Sequence, residues 1–135
     1  MSEQKRESGG VKHDGEKNPL DLLSPFAIEE VGKVLSFGKR KYSARNWEKG
    51  ISFTRLLGAV LRHTFAYMRG ETHDPETGLS HMAHVMCEAM FIIHFEHTKP
   101  EMDDRPSYLP AVAPKKGLQA LSEAVGNSIE YGGLK

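Results

Sequence analysis

Residues 80–97 read SHMAHVMCEAMFIIHFEH, and this stretch decides the fold. From Met82 to Phe95 it is apolar almost all round, with neither Gly nor Pro to interrupt it. A run of that length without turn signals reads as a helix, and a helix apolar on every side belongs at the centre of a bundle. Glu88 is the charged residue in its middle. Leaving an ionised carboxylate bare among Met, Ala, Phe and Ile is costly, so it needs a metal, an arginine or hydrogen bonds. Pairing with Arg55 or Arg62, to fix helix packing, is the plain alternative to a functional role. His81, His84 and Glu88 follow i, i+3, i+7 spacing and share one side of the helix. For each histidine alone, a core or capping role is the simpler reading. His94 and His97 suit the helix end, where imidazolium complements the dipole.

The loop before this helix runs Gly70-Glu71-Thr72-His73-Asp74-Pro75-Glu76-Thr77-Gly78. Two residues separate Glu71 from Asp74, which brings both carboxylates to one side of a turn. Oxygen ligands of this kind suit Mg²⁺ or Mn²⁺, which take one or two carboxylates plus substrate phosphates. Asp-Pro and Thr-Gly are also ordinary turn chemistry, and acids ahead of a helix stabilise its N-terminus. His63, His81 and His84 could together hold Zn²⁺, but the local pair is HxxH without the glutamate of a zincin, so zinc ranks behind magnesium.

Two further helices precede the loop. One opens at Ser24-Pro25, a hydroxyl cap followed by proline at the first helical position; Ile28, Val31, Val34 and Leu35 recur at helical spacing and Gly38 is the expected stop. The other starts after Ser52 and runs from Phe53 to about Arg69, with Gly70 as its terminator. Phe53, Leu56, Leu57, Val60, Thr64 and Tyr67 make its expected apolar face, with Arg55, Arg62 and Arg69 as a basic stripe opposite. No segment alternates with period two, so the predicted class is all-α: three main helices plus a short C-terminal one around Leu118, Leu121, Val125 and Ile129.

Residues 1–18 are polar and glycine-bearing and read as a disordered arm. Residues 100–116, with Pro100, Pro106, Pro110 and Pro114, read as a linker or surface strap, leaving 117–135 for the C-terminal helix and tail. The helical unit of residues 19–99 is small for a self-sufficient core, so completion by homo-oligomerisation is expected.

The chain has 135 residues, eighteen Lys and Arg against eighteen Asp and Glu. That balance argues against stable nucleic-acid binding by bulk charge. A single cysteine, Cys87, forms no internal disulfide and fits a reducing compartment. No apolar run reaches membrane-spanning length and no signal-peptide core is present, so a cytoplasmic location is expected. The zero total hides segregation. Six basic residues against one acid fall between Lys33 and Lys49, and three carboxylates without Lys or Arg fall between Glu71 and Glu76. Lys39-Arg40-Lys41-Tyr42-Ser43-Ala44-Arg45-Asn46-Trp47-Glu48-Lys49-Gly50 could clamp phosphates and stack or hydrogen-bond a base; read plainly, it is a solvated basic loop anchored by Trp47. A charged ligand carrying both signs would need the two loops to meet.

The blocks Leu20-Asp21-Leu22-Leu23-Ser24-Pro25, Lys41-Tyr42, Arg45-Asn46-Trp47-Glu48-Lys49-Gly50, Arg62-His63, Gly70-Glu71, Asp74-Pro75-Glu76-Thr77-Gly78 and His81 to His84 resemble, in order and spacing, a family common in phages. That family is named for the N-terminal domain of dATP/dGTP diphosphohydrolase, and the resemblance covers about residues 17–97. It implies hydrolysis of a purine deoxynucleoside triphosphate to monophosphate and pyrophosphate, in phage nucleotide-pool metabolism. It also implies kinship with the all-α, oligomeric, Mg²⁺-dependent pyrophosphohydrolases of the MazG type. The EExxE of those enzymes is broken here, since Lys33 follows Glu29-Glu30.

On that resemblance, Glu71 and Asp74, helped by Glu30 or Glu88, are expected to hold Mg²⁺, with Mn²⁺ as the alternative. His63 or His84 would orient or deprotonate water. Lys41 and Arg62 would bind phosphates, Tyr42, Asn46 and Trp47 would frame the base, and His81 would lie at the substrate. The competing class is a non-catalytic helical module that binds a phage or host protein through the apolar third helix.

Overall fold

A computed structural model describes residues 9–109. Their regular elements are helical: α1 (Pro25–Lys41), α2 (Phe53–Met68) and α3 (His81–Thr98), with 3₁₀ turns at Leu20–Leu22, Asn46–Lys49 and Pro100–Met102. One isolated antiparallel bridge, His73 to Ser80, closes the loop ahead of α3. The all-α class expected from the sequence is therefore the class observed. The C-terminal helix expected within 117–135 lies outside the described residues. The chain divides into compact units at residues 1–104 and 105–135, and the site described below belongs wholly to the first.

α1 begins as its sequence dictates: the Ser24 hydroxyl accepts the Ala27 N–H at 3.3 Å, with proline in the first turn. It does not stop at Gly38. The helix continues to Lys41, and the Gly38 carbonyl accepts the Tyr42 N–H at 2.9 Å. An interior glycine costs only about 1 kcal/mol relative to alanine. Val31, Val34 and Leu35 pack into the core and outweigh it. Lys39, Arg40 and Lys41 then fill the last turn, where cations suit the dipole.

α2 starts at Phe53, but the Ser52 side chain makes no capping bond. Asp104 does that work from fifty residues away. Its Oδ1 accepts the Thr54 N–H at 2.9 Å and its Oδ2 accepts the Thr54 hydroxyl at 2.6 Å. These bonds hold the Asp104 carboxyl below its ordinary range. The Pro100–Met102 turn doubles back so that Met102 packs on the core, its sulfur 2.9 Å from where a side chain on Gly50 would begin.

α3 packs against both other helices and is the shared element of the bundle. The core is Val31 from α1, Phe53 and Leu56 from α2, and Cys87, Phe91 and Phe95 from α3. Complete burial of Phe95 contributes roughly 2–3 kcal/mol. α2 departs from its expected pattern: Leu57 and Tyr67 are exposed, and Leu61, Phe65 and Met68 form an uncovered stripe with Leu57. Met86 and Ile93 of α3 are exposed too, so this central helix is not enclosed on every side within one chain. No helix among the described residues is long and apolar enough to cross a membrane.

Candidate active site

The loop between α2 and α3 is built on Asp74. Its Oδ1 accepts the Glu76 N–H at 3.2 Å and its Oδ2 accepts the Thr77 hydroxyl at 3.4 Å, the pattern of an Asx turn. The backbone tightens the same loop through Asp74 N–H to the Leu79 carbonyl and Gly78 N–H to the Asp74 carbonyl. Gly78 sits at φ +71, a left-handed conformation that glycine adopts without strain. Thr77 Oγ1 also accepts the Leu79 N–H at 3.2 Å and lies 2.8 Å from His84 Nε2, which is 3.4 Å from Asp74 Oδ2. With Thr77 and Asp74 as acceptors, the hydrogen on His84 belongs on Nε2.

A second chain of contacts starts at Glu71. Its Oε1 lies 2.9 Å from His81 Nε2, and His81 Nδ1 lies 2.8 Å from His63 Nδ1. The carboxylate can only accept, so His81 carries its hydrogen on Nε2. In that tautomer His81 offers a lone pair at Nδ1, His63 donates its Nδ1–H, and the basic lone pair of His63 is left on Nε2. The His63 ring stacks on His84 with centroids 4.5 Å apart and planes 5° from parallel. Burial first, and then the neighbouring imidazoles, push the His63 proton affinity below the usual histidine value. Burial does the same to His84. Both shifts favour the neutral imidazole.

His63 and His84, with Asp74 and Thr77, border a cavity of about 840 Å³ between α1, the loop after it and α3. That is within the range of small-molecule sites. His63, His84, Lys41, Tyr42, Asn46, Trp47, Asp74 and Glu88 all line it, which brings together eight of the residues singled out in the sequence. The two oppositely charged loops do meet: Lys41 Nζ lies 3.1 Å from Glu76 Oε1, and this bond holds the lysine above its usual value. Arg45, in a left-handed conformation at φ 60, opens the turn that carries Asn46 and Trp47. Trp47 stacks on Phe91, centroids 4.3 Å apart, and takes the edge of His94 at 4.9 Å. It is both the anchor of its loop and part of the cavity wall.

Four candidates sit elsewhere. His81 is buried behind His63, and Glu71 is half-exposed beside it; neither lines the cavity. Glu30 pairs with Lys33 at 2.6 Å. Arg62 borders a smaller cavity of about 330 Å³ with Arg55, and Glu88 forms part of the wall of both cavities. Burial raises Glu88 to about 7, with Arg62 opposing the rise. The sequence reading missed Glu48, Glu76 and Thr77, all on the cavity wall. For Glu76 and Thr77 the signal was the Asp74-Pro75-Glu76-Thr77-Gly78 block itself, whose turn chemistry presents side chains as well as reversing the chain.

Asp74 fits a magnesium site in part. It borders the cavity with its side chain 16 % exposed, and a carboxylate oxygen with one hydrogen bond retains a second lone pair. The three histidines do not fit zinc. They meet ring on ring and nitrogen to nitrogen, and among the described residues no three His, Cys, Asp or Glu side chains are placed to hold one ion.

The family model described as dATP/dGTP diphosphohydrolase, N-terminal, matches residues 7–105. A protein of Salmonella phage PMBT28 named dATP/dGTP diphosphohydrolase is 41% identical over 110 residues, covering 80% of this chain and 38% of its own length. The chain thus spans a little over a third of that curated relative. No solved structure matches. With the match running from before α1 to beyond α3, the chain belongs to the dATP/dGTP diphosphohydrolase N-terminal family.

Proposed function

We propose that this cavity hydrolyses a purine deoxynucleoside triphosphate, dATP or dGTP, to the monophosphate and pyrophosphate. The observation that carries the reading is the Glu71–His81–His63 chain, which ends at a neutral imidazole on the cavity wall. His63 Nε2 takes a proton from water as the water oxygen bonds to the α-phosphorus. The bond from that phosphorus to the bridging oxygen breaks, and the electron pair leaves with pyrophosphate. Glu71 and His81 hold the His63 tautomer that leaves Nε2 free to take the proton. Lys41, on the same wall, binds phosphate oxygens, and the Trp47 loop frames the base.

Asp74, with Glu76 beside it, would hold Mg²⁺ or Mn²⁺ on the triphosphate. Such an ion supplies neutralisation of the charge on the phosphate oxygens. The uncovered Leu57, Leu61, Phe65 and Met68 stripe supports a homo-oligomer, which light scattering checks. The family name and the phage relative support the substrate class, and phage nucleotide-pool metabolism in the host cytoplasm is the setting that follows.

The test is a panel of dNTPs and NTPs with and without Mg²⁺, reading pyrophosphate against orthophosphate. Pyrophosphate from dGTP or dATP supports the proposal. Silence across the panel favours the non-catalytic module.

A further inference from the structure

The smaller cavity, about 330 Å³, is built mostly on one face of α2, and both Arg55 and Arg62 line it. Their i, i+7 spacing stands one above the other on that face, about 10 Å apart along the axis. A long helical side chain leans back toward the N-terminus of its helix, which carries Arg62 toward Arg55. Gly58 leaves room for it: Arg62 Nη1 lies 3.1 Å from where a side chain on Gly58 would begin. An interior glycine costs about 1 kcal/mol relative to alanine, and a guanidinium fills the space it vacates. Neither guanidinium has a hydrogen bond or ion pair among the described residues. Glu88 is the carboxyl on this wall, and even counted as ionised it leaves a positive surplus. Asp104 is committed to the Thr54 N–H and hydroxyl and does not line the cavity.

We propose that this cavity is a second ligand site, in which Arg55 and Arg62 hold the diphosphate group of free pyrophosphate or of a nucleotide. Each guanidinium presents a planar fork of donors that matches two oxygens of one phosphate. Two forks drawn together on one helix face match two phosphates in succession. The volume is at the lower end of small-molecule sites. A diphosphate fits inside it, and the sugar and base of a nucleotide would lie beyond its mouth. Lys41 lines the larger cavity and neither arginine does; the two cavities adjoin at Glu88 but carry different cations. The site goes beyond the hydrolase reading and stands whether or not the larger cavity turns over a nucleotide.

The test is calorimetric titration of the full chain, in the presence of a chelator, with pyrophosphate, dGDP and orthophosphate. Wild-type protein should bind pyrophosphate at least tenfold more tightly than orthophosphate, because only the longer anion reaches both forks. Arg55→Gln and Arg62→Gln should each weaken pyrophosphate binding about tenfold or more. Both arginines are exposed, so the variants should fold, which an unchanged melting temperature checks. Arg69→Gln removes the same charge from a residue of α2's end that lines neither cavity, and should change the affinity less than twofold. If the two cavity variants weaken dGDP as they weaken pyrophosphate, the site accepts a nucleotide's diphosphate; if dGDP is unaffected, its ligand is the free anion. Binding of neither diphosphate, equal binding of orthophosphate, wild-type affinity in both cavity variants, or an equal loss in Arg69→Gln overturns the assignment.

Discussion

His63 and His81 face one another through their Nδ1 atoms at 2.8 Å, while the far nitrogen of His81 rests 2.9 Å from Glu71. With His81 donating to Glu71, the contact leaves Nε2 as the basic nitrogen of His63, and it turns the Glu71 carboxylate toward an imidazole.

Glu71→Ala should lower kcat by on the order of 10²-fold while leaving KM for the nucleotide near wild type, because the lost contact orients a base and does not touch the ligand. Raising Mg²⁺ should not restore the rate. Recovery at high Mg²⁺ would instead mark Glu71 as a metal ligand. Steady-state kinetics across a Mg²⁺ series decides between the two.

The pH profile follows from the histidines. A base must be unprotonated to act, and burial together with the adjacent imidazole of His84 holds His63 below the usual 6.5. The rate should therefore be on its plateau at neutral pH and fall toward acid with a midpoint under 6.5. A midpoint at or above that value would place the essential base elsewhere.

Glu88 has a consequence for stability as well. Its carboxyl is raised from 4.5 to about 7 in the folded chain, so folding favours the protonated form. The stability that form supplies is complete below 4.5 and is lost as pH rises through about 7. The full shift corresponds to roughly 3 kcal/mol, and solvent screening of a partly buried group leaves about 2. Glu88→Gln should accordingly stabilise the chain by about that much at pH 8 and hardly at all at pH 4.5. Urea unfolding at both pH values reads the difference.

At the Trp47 loop, Gly50 adopts φ +112 with Met102 packed against it. Gly50→Ala should cost about 1–2 kcal/mol from backbone strain and contact with the Met102 sulfur, lowering the melting temperature.

What could be read from the sequence and what could not follow a physical line. The continuous apolar run of α3 and the Ser24-Pro25 start of α1 are carried by local pattern, and both are present in the structure; the segregation of charge is also local, but that the two charged loops meet is shown only by the fold. The cap on α2 was invisible because Asp104 comes from the far end of the domain, in a segment that reads as linker. The end of α1 was misjudged because packing of Val31, Val34 and Leu35 overrides a glycine's propensity. Within the site, composition brought Lys41, Tyr42, Asn46, Trp47, His63, Asp74, His84 and Glu88 to notice, and the fold sets all of them around one cavity. Spacing alone could not show that Glu71 turns to an imidazole ten residues on, whereas the need of Glu88 for a partner did point to Arg55 and Arg62, which share the smaller cavity with it.

The claim on which the rest depends is that His63 serves as the base in pyrophosphate release. Wild-type chain and His63→Gln, each checked for folding by circular dichroism, should be assayed side by side on dGTP with Mg²⁺, with pyrophosphate and orthophosphate read separately. The account predicts pyrophosphate from the wild type and a rate about 10²–10⁴-fold lower in the variant. Equal rates in the two proteins, or orthophosphate as the product, would contradict it.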